Sequence, residues 1–153
     1  MADDFPTIEQ RVWVRADCAR VWRALSDRTE FESWFRVRLD APLAVGAANS
    51  MADPSDSETF DRYWFEVLEM EADSHIVWKW HPGAHDPHVD YAQETPTTVR
   101  IALAPHLDGT MVTVTETGFD AIALARRPSV LRDNVNGWLD QMASLRRYVD
   151  GER

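Results

Sequence analysis

Apolar and polar residues alternate from Ile8 to Arg15, with Ile8, Gln10, Val12 and Val14 on one face and Glu9, Arg11, Trp13 and Arg15 on the other. This predicts a half-buried strand. The period then changes: Cys18, Val21, Trp22 and Leu25 recur at the spacing of one helix face, and Asp17 stands where a side chain can cap the first amides. That helix is expected to end near Asp27. Thr29 and Glu32 have the T-x-x-E relation of a capping box, so a second short helix is expected to carry Phe31, Trp34 and Phe35 inward. Trp34 to Leu39 also has the makings of a strand. Ala41 to Thr59 mixes Ala, Gly, Asp, Ser and Pro, which predicts a loop with one weak strand near Ala47 to Met51.

Further along, Asp61 to Met70 is rich in aromatic and branched residues, and His75 to His81 places Ile76, Trp78 and Trp80 on one face. These predict a pair of strands. Thr97 to Ala104 and Met111 to Thr117 form another pair around the hairpin signal Asp108-Gly109, with Val112, Val114 and Glu116 sharing a face. Finally Leu131, Val135, Trp138, Met142, Leu145 and Val149 step by 4, 3, 4, 3 and 4, the stripe of a long helix over Ser129 to Val149. The order predicts an α+β fold: an antiparallel sheet, two short helices after the first strand, and a long C-terminal helix. A twisted sheet has a concave face, and a helix across it seldom fills both ends, so a cavity is expected between the two.

At 153 residues, with 44% hydrophobic and 27% charged, the chain suits one domain over 8–150 between short flexible termini at 1–7 and 151–153. The net charge of -10 argues against nucleic acid and anionic membrane as partners. No apolar run approaches the length of a membrane span, and Met1 to Pro6 does not have the pattern of a signal peptide. A single cysteine, Cys18, excludes an internal disulfide and fits a reducing cytoplasm. The chain lacks G-x-S-x-G, P-loop and G-x-G-x-x-G patterns, so nucleotide chemistry and serine hydrolysis are not expected.

Glu116 shares a strand face with Val112 and Val114, where burial would press it toward its neutral form and suit it to acid/base work or to anchoring a hydroxyl. Asn134 and Gln141, seven apart beside Trp138, can supply the few polar contacts of a mostly apolar site. Trp138 and Met142 on the helix, Trp78, Trp80 and Val114 on the strands and Tyr91 in the loop complete the expected ligand-binding set. The loop His81 to Pro96 holds His81, His85, Asp86, His88 and Asp90, but H-x-x-x-H-x-x-H lacks helical spacing and there is no H-E-x-x-H. It reads as a lid rather than a metal site, and neither metal nor cofactor is expected.

Several short motifs together resemble a known family. These are Val21-Trp22-Arg23-Ala24-Leu25, Trp34, Trp80-His81-Pro82, Val89-Asp90-Tyr91, Gly109-Thr110, Glu116-Thr117-Gly118-Phe119-Asp120, Asn134 and Gly137-Trp138. They are similar to the START-like or SRPBCC superfamily, in its branch of heat-shock-protein-90 ATPase activator homologues, across about residues 8 to 149. The resemblance implies the helix-grip fold and a pocket for hydrophobic or amphipathic small molecules; members include lipid carriers, polyketide cyclases, hormone receptors and cochaperones. Val45 to Ser55 departs from the strand and Gly-Gly turn of many relatives. With seven residues ahead of the first strand, the additional chaperone-binding domain of the eukaryotic activators is not expected. Small-molecule binding therefore ranks first. A cyclase- or dehydratase-like enzyme using Glu116 or a loop histidine and a cochaperone-like interaction module are the alternatives. An exposed edge strand would offer a route to a homodimer.

Overall fold

The computed structural model describes residues 6–54, 62–84 and 90–151; the rest of the expected flexible termini, 1–5 and 152–153, lies outside them. Seven antiparallel strands form one curved open sheet: β1 (Ile8–Val14), β2 (Arg38–Leu39), β3 (Ala48–Ala52), β4 (Arg62–Glu71), β5 (His75–Trp80), β6 (Thr97–His106) and β7 (Gly109–Thr117). Their order is β1-β7-β6-β5-β4-β3-β2, so β1 and β2 are the edges. The helices α1 (Cys18–Ser26) and α2 (Arg28–Phe35) follow β1, and α3 (Arg127–Asp150) closes the chain. The α+β architecture expected from the pattern is thus the one observed, including a real strand at Ala48–Ala52 where the composition is loop-like.

Asp27 explains how two helices follow so closely. Its backbone N–H ends α1 on Arg23 O, while its side chain accepts from Glu30 N at 3.0 Å and starts α2. The helix is therefore capped by Asp27 alone and not by a box of Thr29 and Glu32, since the Glu30 carboxylate is taken by Arg20, Arg23 and Tyr148. Thr29 is already inside the helix, and the Glu32 carboxylate instead accepts from Leu39 N at 2.7 Å. Arg36, at φ 63°, stops α2 in the left-handed region, so Trp34 and Phe35 belong to the helix and the strand begins only at Arg38. At the β6–β7 turn, Gly109 is required by close approach: a Cβ there would stand 2.0 Å from Val14 O.

α3 packs against β1 and both short helices. Its C-terminal half is bonded down: Gln141 Nε2 donates to Phe35 O at 2.9 Å, Ser144 Oγ to Trp34 O at 2.6 Å, and the Asp150 carboxylate accepts from Arg15 N and Ala16 N. The buried stripe is rolled relative to the expected one. Val135 is 38% exposed, while Val130 and Trp138 are buried and Asn134 is turned inward. The core between sheet and helices holds Phe31, Trp34, Phe35, Phe65 and Trp78 in edge-to-face and stacked contacts. Burial of such rings dominates the stability of a small core.

Candidate functional site

The three inward residues at the end of β7 are Val112, Val114 and Glu116, each fully buried. Cross-strand neighbours Ile8 and Val99 flank Glu116, so its carboxylate has no way to water along the sheet. It rises instead toward α3 and finds four partners. Trp80 Nε1 donates to Oε2 at 2.8 Å and Thr97 Oγ1 to the same oxygen at 2.6 Å; Asn134 Nδ2 donates to Oε1 at 2.9 Å and Trp138 Nε1 at 2.8 Å. A carboxylate offers about four acceptor sites, and here N–H and O–H groups fill them. The same bonds explain the roll of α3, since Asn134 can reach Glu116 only if Val135 turns out.

Beside this network lies a cavity of about 160 Å³ lined by Phe35, Trp80, Asp133, Asn134, Gly137, Trp138 and Gln141. It lies between the C-terminus of α2, the end of β5 and the middle of α3. Three aromatic rings wall it: Phe35 and Trp80 are 6.3 Å apart, Phe35 and Trp138 6.0 Å, Trp80 and Trp138 5.8 Å. The Gln141 amide nitrogen is committed to Phe35 O, and its Oε1 is buried with no partner among the described residues. Gln141 Oε1 is thus an acceptor on offer to a bound molecule. A larger space of about 430 Å³ adjoins it, sharing Phe35, Trp80, Asp133, Asn134 and Gln141 and reaching Arg36, Tyr63 and His81.

Beyond Tyr63 and His81 a third space of about 520 Å³ is lined by Trp64, Tyr91, Glu94 and Pro96, among others. Arg126 pins both ends of the loop around it: Nη1 donates to Gly83 O at 3.1 Å, Nη2 pairs with Glu94 at 2.6 Å, and the guanidinium lies 4.9 Å from the Tyr91 ring centre. Asp90 caps the Tyr91–Gln93 turn by accepting from Ala92 N. The loop's His85, Asp86 and His88 lie outside the described residues, among which no group of three or more histidine, cysteine or carboxylate residues is placed to hold a metal.

His81 Nδ1 is buried without a partner among the described residues. Burial holds its imidazole below the ordinary value of 6.5; Glu94 opposes the shift and Arg126 adds to it. The unfolded chain therefore takes up the proton first, so this group's contribution to stability is complete above about pH 6.5 and is lost as the pH falls through the folded value. His81→Gln is expected to flatten the loss of stability below pH 6.5, measured by urea unfolding across pH. An unchanged slope would contradict that assignment.

Of the residues expected from the pattern, Trp80, Asn134, Trp138 and Gln141 meet at the inner cavity and Tyr91 lines the outer space. Trp78 and Val114 are packed into the core and line none of the described cavities, because inward-facing apolar side chains close on one another wherever α2 covers the sheet. Met142 faces a different groove, between α3 and β1. Glu116 stands behind the cavity wall rather than on it. Phe35, Asp133 and Gly137 also line the inner cavity, outside the set expected from the pattern. Gly137 carried a readable signal, a glycine in a helix interior where alanine is the better helix former.

No helix among the described residues is long and apolar enough to cross a membrane. The structure of protein MLL2253 from Mesorhizobium loti superposes with a TM-score of 0.75 at 20% identity, over 97% of this chain and 99% of that one. The Aha1 dimer from Colwellia psychrerythraea gives 0.74 at 13% identity, over 97% and 99%. DynU16, a putative protein in the dynemicin biosynthetic locus, gives 0.70 at 24% identity, over 96% of this chain and 47% of that one. At these identities the likeness is one of fold. No curated protein matches the chain in sequence. The model of the family described as activator of Hsp90 ATPase homolog 1-like protein matches residues 15–150, and the chain belongs to that family.

Proposed function

We propose that the protein binds a small hydrophobic or aromatic molecule in the cavity between sheet and α3. The observation that carries this reading is the ring wall of Phe35, Trp80 and Trp138 with the unpartnered acceptor Gln141 Oε1 beside it. Apolar walls with few polar groups are the usual make-up of a small-molecule site. Proton transfer by Glu116 has less support, since all four of its hydrogen bonds are to the protein and it is fully buried behind the rings. Its role in this reading is to position Trp80, Asn134 and Trp138. A cytoplasmic setting and a homodimer belong to the same proposal; the open sheet edges β1 and β2 and the dimeric Colwellia neighbour support the second.

Gly137 separates binding from stability. A Cβ there would meet no atom within 4 Å, so Gly137→Ala is expected to stabilise α3 by about 0.5–1 kcal/mol. The same methyl intrudes on the cavity that Gly137 lines. Titration of 1-naphthol against tryptophan fluorescence is expected to show binding that weakens several-fold in Gly137→Ala while its melting temperature rises. Equal affinity in both proteins, or no binding to either, would contradict the proposal.

A further inference from the structure

The polar character of the cavity points to one class of ligand. Glu116 is fully buried, its four partners are neutral groups, and none of the ion pairs formed among the described residues includes it. Trp80 Nε1, Asn134 Nδ2 and Trp138 Nε1 can only donate and between them occupy both oxygens, which is the bonding of an acceptor-only, ionised carboxylate; in a low-dielectric interior the field of a charge without a counter-ion is weakly screened. Two of the donors are the indoles of Trp80 and Trp138, which are also cavity walls. An indole that gives its N–H to an anion becomes richer in π electrons, and the ring face already attracts cations.

The remaining polar lining has the same sign. The Gln141 and Asn134 amides each give one N–H to the protein, to Phe35 O and Glu116, Gln141 Oε1 is an acceptor without a partner among the described residues, and Asp133 adds an exposed carboxylate at the rim. No lysine, arginine or histidine lines this inner cavity among the described residues; Arg36 and His81 belong to the adjoining space. The net charge of -10 favours approach of a cation over that of an anion.

We infer that the preferred ligand is an organic cation, an ammonium group on an apolar frame, with its positive head among Phe35, Trp80 and Trp138. This rests on the reading of the cavity as a site for apolar molecules and adds the charge.

The test is isothermal titration of the wild-type protein with three probes: benzyltrimethylammonium, its uncharged carbon isostere neopentylbenzene, and 3-phenylpropanoate. The cation is expected to bind about 3–30-fold more tightly than the isostere, and the carboxylate most weakly. In Glu116→Gln, checked for folding by circular dichroism, the gap between cation and isostere is expected to narrow; the wild-type comparison decides even where that variant fails to fold. Isostere binding equal to or tighter than the cation overturns the inference and leaves small-molecule binding standing. Tightest binding of the carboxylate overturns it in favour of Arg36 as the recognition group. Binding of none of the three removes both the inference and the reading beneath it.

Discussion

Glu116→Ala is expected to lower the stability by about 3–5 kcal/mol, a fall in melting temperature of roughly 6–20 °C for a chain of this size. The substitution strands four donors at once, Trp80 Nε1, Thr97 Oγ1, Asn134 Nδ2 and Trp138 Nε1. Each buried donor left without a partner costs about 1–3 kcal/mol, and the costs do not add fully because the groups share one site and water can enter it. Glu116→Gln retains one acceptor oxygen and is expected to lose about half as much. Urea unfolding of the two variants gives the comparison. A loss below about 1 kcal/mol for the alanine variant would mean that the carboxylate does not organise these elements.

The second large effect is at Trp138, which joins the ring wall to the Glu116 network. Trp138→Ala is expected to cost about 3–5 kcal/mol through lost packing and the cavity left behind. It removes ring contacts to Phe35, Trp78 and Trp80 as well as one hydrogen bond to Glu116. Trp138→Phe keeps a ring in place and gives up the N–H, so about 1–2 kcal/mol is expected. In both variants 1-naphthol affinity follows the ring more than the hydrogen bond: tenfold or more weaker in the alanine variant and within a fewfold of wild type in the phenylalanine variant. Loss of affinity to the same degree in both would assign binding to the Glu116 network instead of the rings.

The direction of Glu116 was readable because a strand has a period of two: once Val112 and Val114 face the core, Glu116 must as well. The pattern carried no information on what it meets, since Trp80, Thr97, Asn134 and Trp138 come from three other elements. The long helix was legible in existence and approximate length but not in rotation. The apolar stripe placed Val135 inward; the buried carboxylate drew Asn134 in instead, a tertiary hydrogen bond outweighing one valine.

Lining residues were only partly legible for a related reason. A face that points inward becomes core wherever another element covers it, so Trp78 meets Phe31 and Phe35 and leaves no space. The cavity persists where α2 ends at the left-handed Arg36, and that stop depends on backbone geometry at a residue whose type does not announce it. Phe35 gained its place on the wall from the same stop.

The measurement that tests the central claim most directly is two-dimensional ¹H–¹⁵N NMR of the side-chain N–H groups during titration with 1-naphthol. Binding in the inner cavity shifts the indole resonances of Trp80 and Trp138 and the amide resonances of Asn134 and Gln141, while the indole of Trp13, bonded to His106 O at the far hairpin, stays in place. Shifts confined to residues of the groove between β1 and α3, or no shifts at saturating probe, would contradict the claim that this cavity is the binding site.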